Sequence, residues 1–292
     1  MHALIQGLIL GVLTGGMYAL MASGQTLIFG IMKVINLAQG AMVILSAYLA
    51  FQLFTSFDID PFLAIPITTV ALFLLGAGVQ LVLIRPLRLE DRAELSLLVT
   101  FAVALLIEGI LSVLWKTSLR SIGTSYANYS WTVRGYAVPQ VGVYIFALSI
   151  AALAALFLVL NRTRFGRAIR ATVQNPESAR LLGVESERVS AFGFGLGAAT
   201  AGAAGSAYGL LYTFNPGSHY DLISLLLSIV VLGGLGSIVG AVLGALVVSM
   251  SFAVVASTVS PAWAPMTFFV VLIVVLLIRP QGLLGAEVRG SA

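Results

Sequence analysis

Residues 161–188, NRTRFGRAIRATVQNPESARLLGVESER, form one long polar island with apolar sequence on both sides. It holds Arg162, Arg164, Arg167, Arg170, Arg180 and Arg188, six of the fifteen basic residues in the chain. Basic loops between membrane spans stay on the cytoplasmic side. The island is therefore expected in the cytoplasm, as a docking surface set in lipid-soluble scaffolding, and it orients everything around it.

Outside the island the chain is strongly apolar. Of 292 residues, 60% are hydrophobic and 9% charged, against about a quarter charged in soluble domains, and mean hydropathy is +1.07. This is the composition of an all-α polytopic membrane protein whose surroundings are the lipid bilayer. The net charge of +4 follows from arginines flanking spans and calls for no nucleic acid. There is no cysteine, which excludes disulfides, thiolate metal sites and cysteine nucleophiles. The first apolar run has no basic residue before it and outlasts the roughly 7–15 residues of a signal-peptide core, so the chain is expected to open on a retained span.

A helix rising about 1.5 Å per residue needs on the order of 20 apolar residues to cross about 30 Å of hydrocarbon. By that ruler, spans are expected at 3–27, 37–54, 62–84, 95–115, 141–160, 189–212 and 263–278. Residues 222–256 would make one helix roughly 50 Å long, so a break is expected at Gly233, Gly234 and Gly236. The fold is thus about eight transmembrane helices plus short broken or re-entrant segments, in a single domain over 1–292.

With 161–188 inside, Arg85, Arg88, Arg92, Arg279 and Arg289 also fall inside, and the C-terminus is cytoplasmic. That is eleven basic residues inside (six, three and two) against Lys116, Arg120 and Arg134 outside, with Lys33 near a span end where a lysine can snorkel. The outer loop 116–140 carries Tyr126, Tyr129, Trp131 and Tyr136, which suits an interfacial aromatic belt or a surface segment; a dock for an outer partner is the alternative. Gly7, Gly11 and Gly15, then Gly193, Gly197, Gly205 and Gly209, then Gly236, Gly240 and Gly244 recur at packing spacing. Small residues so spaced let helix backbones approach closely, and replacing Gly240 by leucine is expected to disturb such a contact.

Within the island, residues 175–183 read as a complete short helix. Asn175 is a good N-cap, Pro176 suits the first helical position, Glu177 complements the dipole, and Gly183 can take the left-handed C-cap. Such a helix is either a surface connector or a lever on which another protein pushes.

Glu177-Ser178-Ala179, followed after three residues by Gly183, resembles the EAA loop of bacterial ABC importer permeases, although Gly193 and Phe194 replace its usual ending. The chain is more closely similar to the permeases of branched-chain amino acid importers, the LivH type. The resemblance runs in order through Gln6-Gly7, residues 16–20 (GMYAL), 35–40 (INLAQG), 163–171 (TRFGRAIRA), 232–237 (LGGLGS) and 279–285 (RPQGLLG), with Gln39 standing where the family commonly has histidine. It implies the ABC importer permease fold and a transport subunit, not an enzyme. It also implies separate ABC ATPase subunits that use ATP and Mg, a second permease (paralogue or same chain), a soluble substrate-binding protein, and a bacterial inner-membrane location. No GxxxxGK[ST] loop occurs, and only Lys33 and Lys116 could have supplied its lysine. The resemblance places ATPase coupling on Arg167, Arg170, Asn175, Pro176, Glu177, Ala179, Leu182 and Gly183, and Glu177→Lys is expected to abolish transport.

Broken helices at membrane depth line cavities or are buried in protein, and mark binding sites in secondary carriers. Asn36, Gln39 and Gly40, with Gly233, Gly234, Gly236 and Ser237, are therefore substrate-pathway candidates. Asn36, Gln39 and Ser237 either offer hydrogen bonds to substrate or satisfy backbone at helix ends. Glu108 is the one acid well inside an expected span, with a structural pairing or a proton or substrate role open to it. The expected function is ATP-driven import of branched-chain or related amino acids by alternating access. Urea or amides, or ion-coupled secondary transport, are the alternatives. A membrane enzyme has little basis, since His2 and His219 are the only histidines and no acid pair sits at metal-ligand spacing.

Overall fold

The structure, a computed structural model, describes residues 1–87, 92–127 and 129–285, with the side chains of 92, 93, 176 and 177 outside that description. Arg88, Arg289 and the side chains of Arg92, Pro176 and Glu177 therefore lie outside the described residues. The helices in chain order are α1 (His2–Met32), α2 (Gln39–Phe57), α3 (Pro61–Val79), α4 (Arg92–Trp115), α5 (Gln140–Arg162), α6 (Arg164–Gln174), α7 (Pro176–Leu181), α8 (Ser186–Leu211), α9 (His219–Gly233), α10 (Ile238–Thr258) and α11 (Ala264–Ile278). A wider π turn, Gln80–Ile84, continues α3, and strands β1 (Ser130–Val133) and β2 (Tyr136–Pro139) lie between α4 and α5.

Among the described residues, seven helices are long and apolar enough to cross a membrane: α1, α2, α3 with its π turn, α4, α5, α9 with the preceding short turn, and α10. The protein is a polytopic α-helical membrane protein. The break expected within 222–256 occurs where expected, between α9 and α10. α11 is apolar throughout but has 15 residues. α8 is long enough, yet Gly, Ala, Ser and Thr dominate it, and the reason is its position.

α8 is the hub, packed against α1, α2 and α3, with most of its residues buried. At Gly205 a side chain would run into the Val43 carbonyl of α2. One turn away, Ser46 donates to the Gly202 carbonyl, and the hydroxyls of Thr68 and Ser206 meet at 2.7 Å. Small side chains let three backbones close on one another, and the hydroxyls that come with them are mutually satisfied. The stripe Gly7, Gly11 and Gly15 does the same for α1 against α10, facing Ser257, Met250 and Ser249. At Gly240 a Cβ would land on the Gly233 carbonyl, so the close contact expected there is with α9.

The loop 116–140 is not a simple surface segment: it contains a β-hairpin. Arg134 and Gly135 both have positive φ, 51° and 85°, as a two-residue type I′ turn demands, and Val133 pairs with Tyr136 to close it. The hairpin holds the start of α1. Gln6 donates to the Ala137 carbonyl at 2.7 Å and accepts from the Ala137 amide at 3.1 Å, while the His2 ring stacks on Tyr136. Trp131 packs on Tyr144, Tyr144 on Phe62, and Phe62 on Tyr126, so much of the loop's aromatic surface faces other rings. Tyr126 donates to Asp60 at 2.8 Å. Burial and that bond push its phenol well above the ordinary tyrosine range.

Candidate functional site

The island folds as two helices at the end of the bundle opposite the hairpin. Thr163 caps α6 by accepting from the Gly166 amide at 3.1 Å. Ile169 and Thr172 turn inward, while Arg164, Arg167 and Arg170 remain exposed. Arg170 is nevertheless engaged: its guanidinium donates to the Leu160 carbonyl, one of the orphan acceptors at the end of α5, and to Asn161 Oδ1 at 2.9 Å. It clamps α5 to α6 and is still exposed, as the coupling role expected of it needs. Arg167 stays solvent-facing.

α7 has both expected caps. Asn175 Oδ1 accepts from the Ser178 amide at 3.0 Å. Gly183 adopts φ +82°, and the Gly183 and Val184 amides donate to Arg180 and Ala179 carbonyls, the paired bonds of a Schellman end. Ala179 is buried, because it faces the bundle across this short helix. Leu181 and Leu182 point the other way and are 89% and 84% exposed. The sequence reading named Leu182 and missed Leu181. A charged groove of about 610 Å³ adjoins the loop after α7, crossed by the 2.7 Å Arg85–Glu187 pair.

The pathway candidates divide. Gln39 and Asn36 are fully buried. Gln39 Nε2 donates to the Gly197 carbonyl at 3.1 Å and Met21 at 3.4 Å, its Oε1 accepts from Asn36, and Asn36 Oδ1 accepts from the Ala38 amide. Gly40 lies against the start of α9. Thr100 accepts from the Leu37 amide at 3.2 Å, so the break between α1 and α2 is satisfied from within. These residues form a knot joining α1, α2 and α8, in keeping with the backbone-satisfying alternative for Asn36 and Gln39. Gln39→Leu is expected to cost about 1–3 kcal/mol, since it strands the groups Gln39 now meets; thermal unfolding in detergent, beside wild type, measures it.

At the second break, Gly233 and Gly234 are buried, and the freed end of α9 is met by the segment after α11: the Leu283 amide donates to Leu232 at 2.8 Å and Leu284 to Gly233 at 3.1 Å. Two blocks distant in sequence, 232–237 and 279–285, thus form one joint. Ser237 caps α10 by accepting from the Gly240 amide at 3.1 Å. Gly236 and Ser237 line a cavity of about 400 Å³ with Thr26, Gly30, Asn161 and Arg170.

Glu108 is paired. Tyr220 donates to its carboxylate at 3.0 Å. His219 Nδ1 hydrogen-bonds the Pro216 carbonyl, which accepts at 3.0 Å, and its Nε2 lies 3.9 Å from the Glu108 carboxylate. The acid ties α4 to the start of α9. A further cavity of about 520 Å³ opens among α1, α8, α9, α10 and α11, with Tyr18, Tyr208, Tyr212 and Asp221 as its main polar side chains. Among the described residues no group of three or more His, Asp or Glu could hold a metal.

The model of the family described as "Branched-chain amino acid transport system / permease component" matches residues 7–277. The chain belongs to this permease family. The permease is 29% identical to the high-affinity branched-chain amino acid transport system permease protein BraD of Pseudomonas aeruginosa, over 96% of this chain and 95% of that one. It is 30% identical to LivH of Escherichia coli, with the same coverage. With a probable LivH of Methanocaldococcus jannaschii it shares 27% over 94% and 91% of the two chains. Among this permease's side chains, the tyrosine-lined cavity is what sequence reading passed over. Tyr18 stood in a quoted block, but Tyr208, Tyr212 and Asp221 come from other helices. Asp221 fell one residue before the segment in which an acid would have drawn notice.

Proposed function

We propose that this chain is the membrane subunit of an ATP-driven importer that moves branched-chain amino acids across a bacterial inner membrane, with residues 1–292 as a single permease domain. Helices α1–α5 and α8–α11 cross the bilayer. The hairpin end faces outward and α6–α7, with the segment after α11, face the cytoplasm, as the arginine-rich 161–188 loop requires. The carrying observation is the family match over 7–277, to which the exposed Leu181–Leu182 tip adds a physical docking point. ABC ATPase subunits seat on α7 and its flanks, a second permease completes the pathway, and a soluble binding protein delivers substrate from outside.

Two cavities support alternating access. One includes Tyr18 and the other Thr26, about 12 Å apart along α1. Met21, held by Gln39, falls between them, so the Gln39 knot is a packed waist between an outer and an inner vestibule. The test is uptake by the chain reconstituted with its ATPase, second permease and binding protein. Radiolabelled leucine should accumulate with ATP and urea should not. Urea accumulation without leucine would overturn the substrate class, and uptake by the chain alone under an ion gradient would overturn the ATP-driven mechanism.

A further inference from the structure

We infer that the cavity among α1, α8, α9, α10 and α11 is a binding site for the zwitterionic head and aliphatic side chain of the transported amino acid, with Asp221 as the ammonium partner. This rests on the amino-acid reading above and assigns it a place.

The chemistry of the lining is selective. Its volume, about 520 Å³, falls within the roughly 300–1,000 Å³ of small-molecule sites. Asp221 lies in the first turn of α9. Among the described residues it makes no ion pair with Lys, Arg or His within 4 Å, and the cavity lining contains no cation. Asp221 is solvent-exposed on the cavity wall, and a carboxylate at a mainly apolar cavity with no cation in its lining is matched by a ligand that brings its own.

Three phenols converge on the same space. Tyr208 and Tyr212 have ring centroids 5.0 Å apart, and Tyr18 faces them from α1. The Tyr208 and Tyr212 hydroxyls can donate hydrogen bonds without adding positive charge, so they can receive the ligand carboxylate beside Asp221, while the phenol faces favour an ammonium group. The remaining wall, including Leu225, Val248, Phe252 and Met266, accepts an aliphatic chain. A keto acid of the same shape lacks the ammonium and would set its carboxylate against Asp221 without compensation; it is excluded.

The absence of cysteine from the chain allows a direct test. In the assembled transporter, Ser224→Cys places a single thiol of this chain in the cavity wall. Leucine should slow its alkylation, measured by mass on this chain, and α-ketoisocaproate should not. Asp221→Asn added to Ser224→Cys should raise the leucine concentration needed for protection roughly ten- to a hundredfold. Tyr208→Phe, which keeps the ring and loses the donor, should raise it less. If the wild-type complex takes up leucine but leucine leaves the alkylation rate unchanged, the cavity is not the site and the transport reading stands. If Asp221→Asn leaves protection intact, Asp221 is not the ammonium partner and the inference falls. If the wild-type complex takes up urea and not leucine, the amino-acid reading itself fails.

Discussion

Replacing Leu181 and Leu182 together by glutamate should abolish ATP-driven uptake and leave the permease folded. The two side chains are 89% and 84% exposed at the end of a helix of six residues held by a cap at each end. Burying a leucine against a partner gains about 1.5–3 kcal/mol, so in the proposed ATPase contact the pair is expected to supply about 3–6 kcal/mol. Losing that weakens ATPase attachment by roughly two to four orders of magnitude. The fold should not notice, because substitutions at exposed positions usually shift stability by about 0.5 kcal/mol or less. Co-purification of the ATPase, ATP-driven leucine uptake and thermal unfolding together decide the matter. Full uptake with a normally attached ATPase would mean that the coupling contact lies elsewhere on 161–188. Lowered unfolding temperature would mean that the leucines support the bundle.

Gly205→Leu is expected to prevent recovery of folded protein, whereas Gly109→Leu should be silent. Both sites lie in helices with the same gain in helix propensity on leaving glycine, so only the surroundings differ. At Gly205 the new Cβ would overlap the Val43 carbonyl and lie 2.7 Å from the Ser46 Cβ. α2 and α8 would have to separate, breaking the Ser46–Gly202 and Thr68–Ser206 contacts. Overpacking commonly costs about 1–3 kcal/mol, and here the loss of buried hydroxyl partners adds to it. At Gly109 a Cβ meets nothing within 4 Å. Yield of monodisperse protein from membranes, with unfolding temperature for whatever is recovered, gives the comparison. Equal recovery of the two variants would show that α2 and α8 do not depend on this approach.

What could be read from sequence was what local chemistry decides. Asn175 and Gly183 cap α7 as their residue types dictate, and the glycines at 233–236 break a run too long for one span. The type I′ turn was not legible, because its first central residue is Arg134, not asparagine or glycine, and positive φ is imposed there by strand pairing. Arg170 was expected among the ATPase-coupling residues, and its clamp was not legible, since the Leu160 carbonyl becomes a neighbour only once α6 folds back on α5. Gln39 could be read either as a pathway residue or as a backbone partner, because a polar amide in an apolar run has two uses, and the Gly197 carbonyl it meets is distant in sequence. α8 was legible as a span, but its small residues mark the centre of the bundle, whereas length and composition alone register only apolarity.

The joint formed by residues 232–237 and 279–285 also imposes an order on manufacture. Leu283 and Leu284 supply the donors for the Leu232 and Gly233 carbonyls, and a ribosome reaches those leucines only after α10 and α11 have been made. Until then the carbonyls at the end of α9 lack their native donors and have to be met by water or by other groups. The native end of α9 is therefore completed only when the chain beyond α11 folds back to seal a helix synthesised well before it.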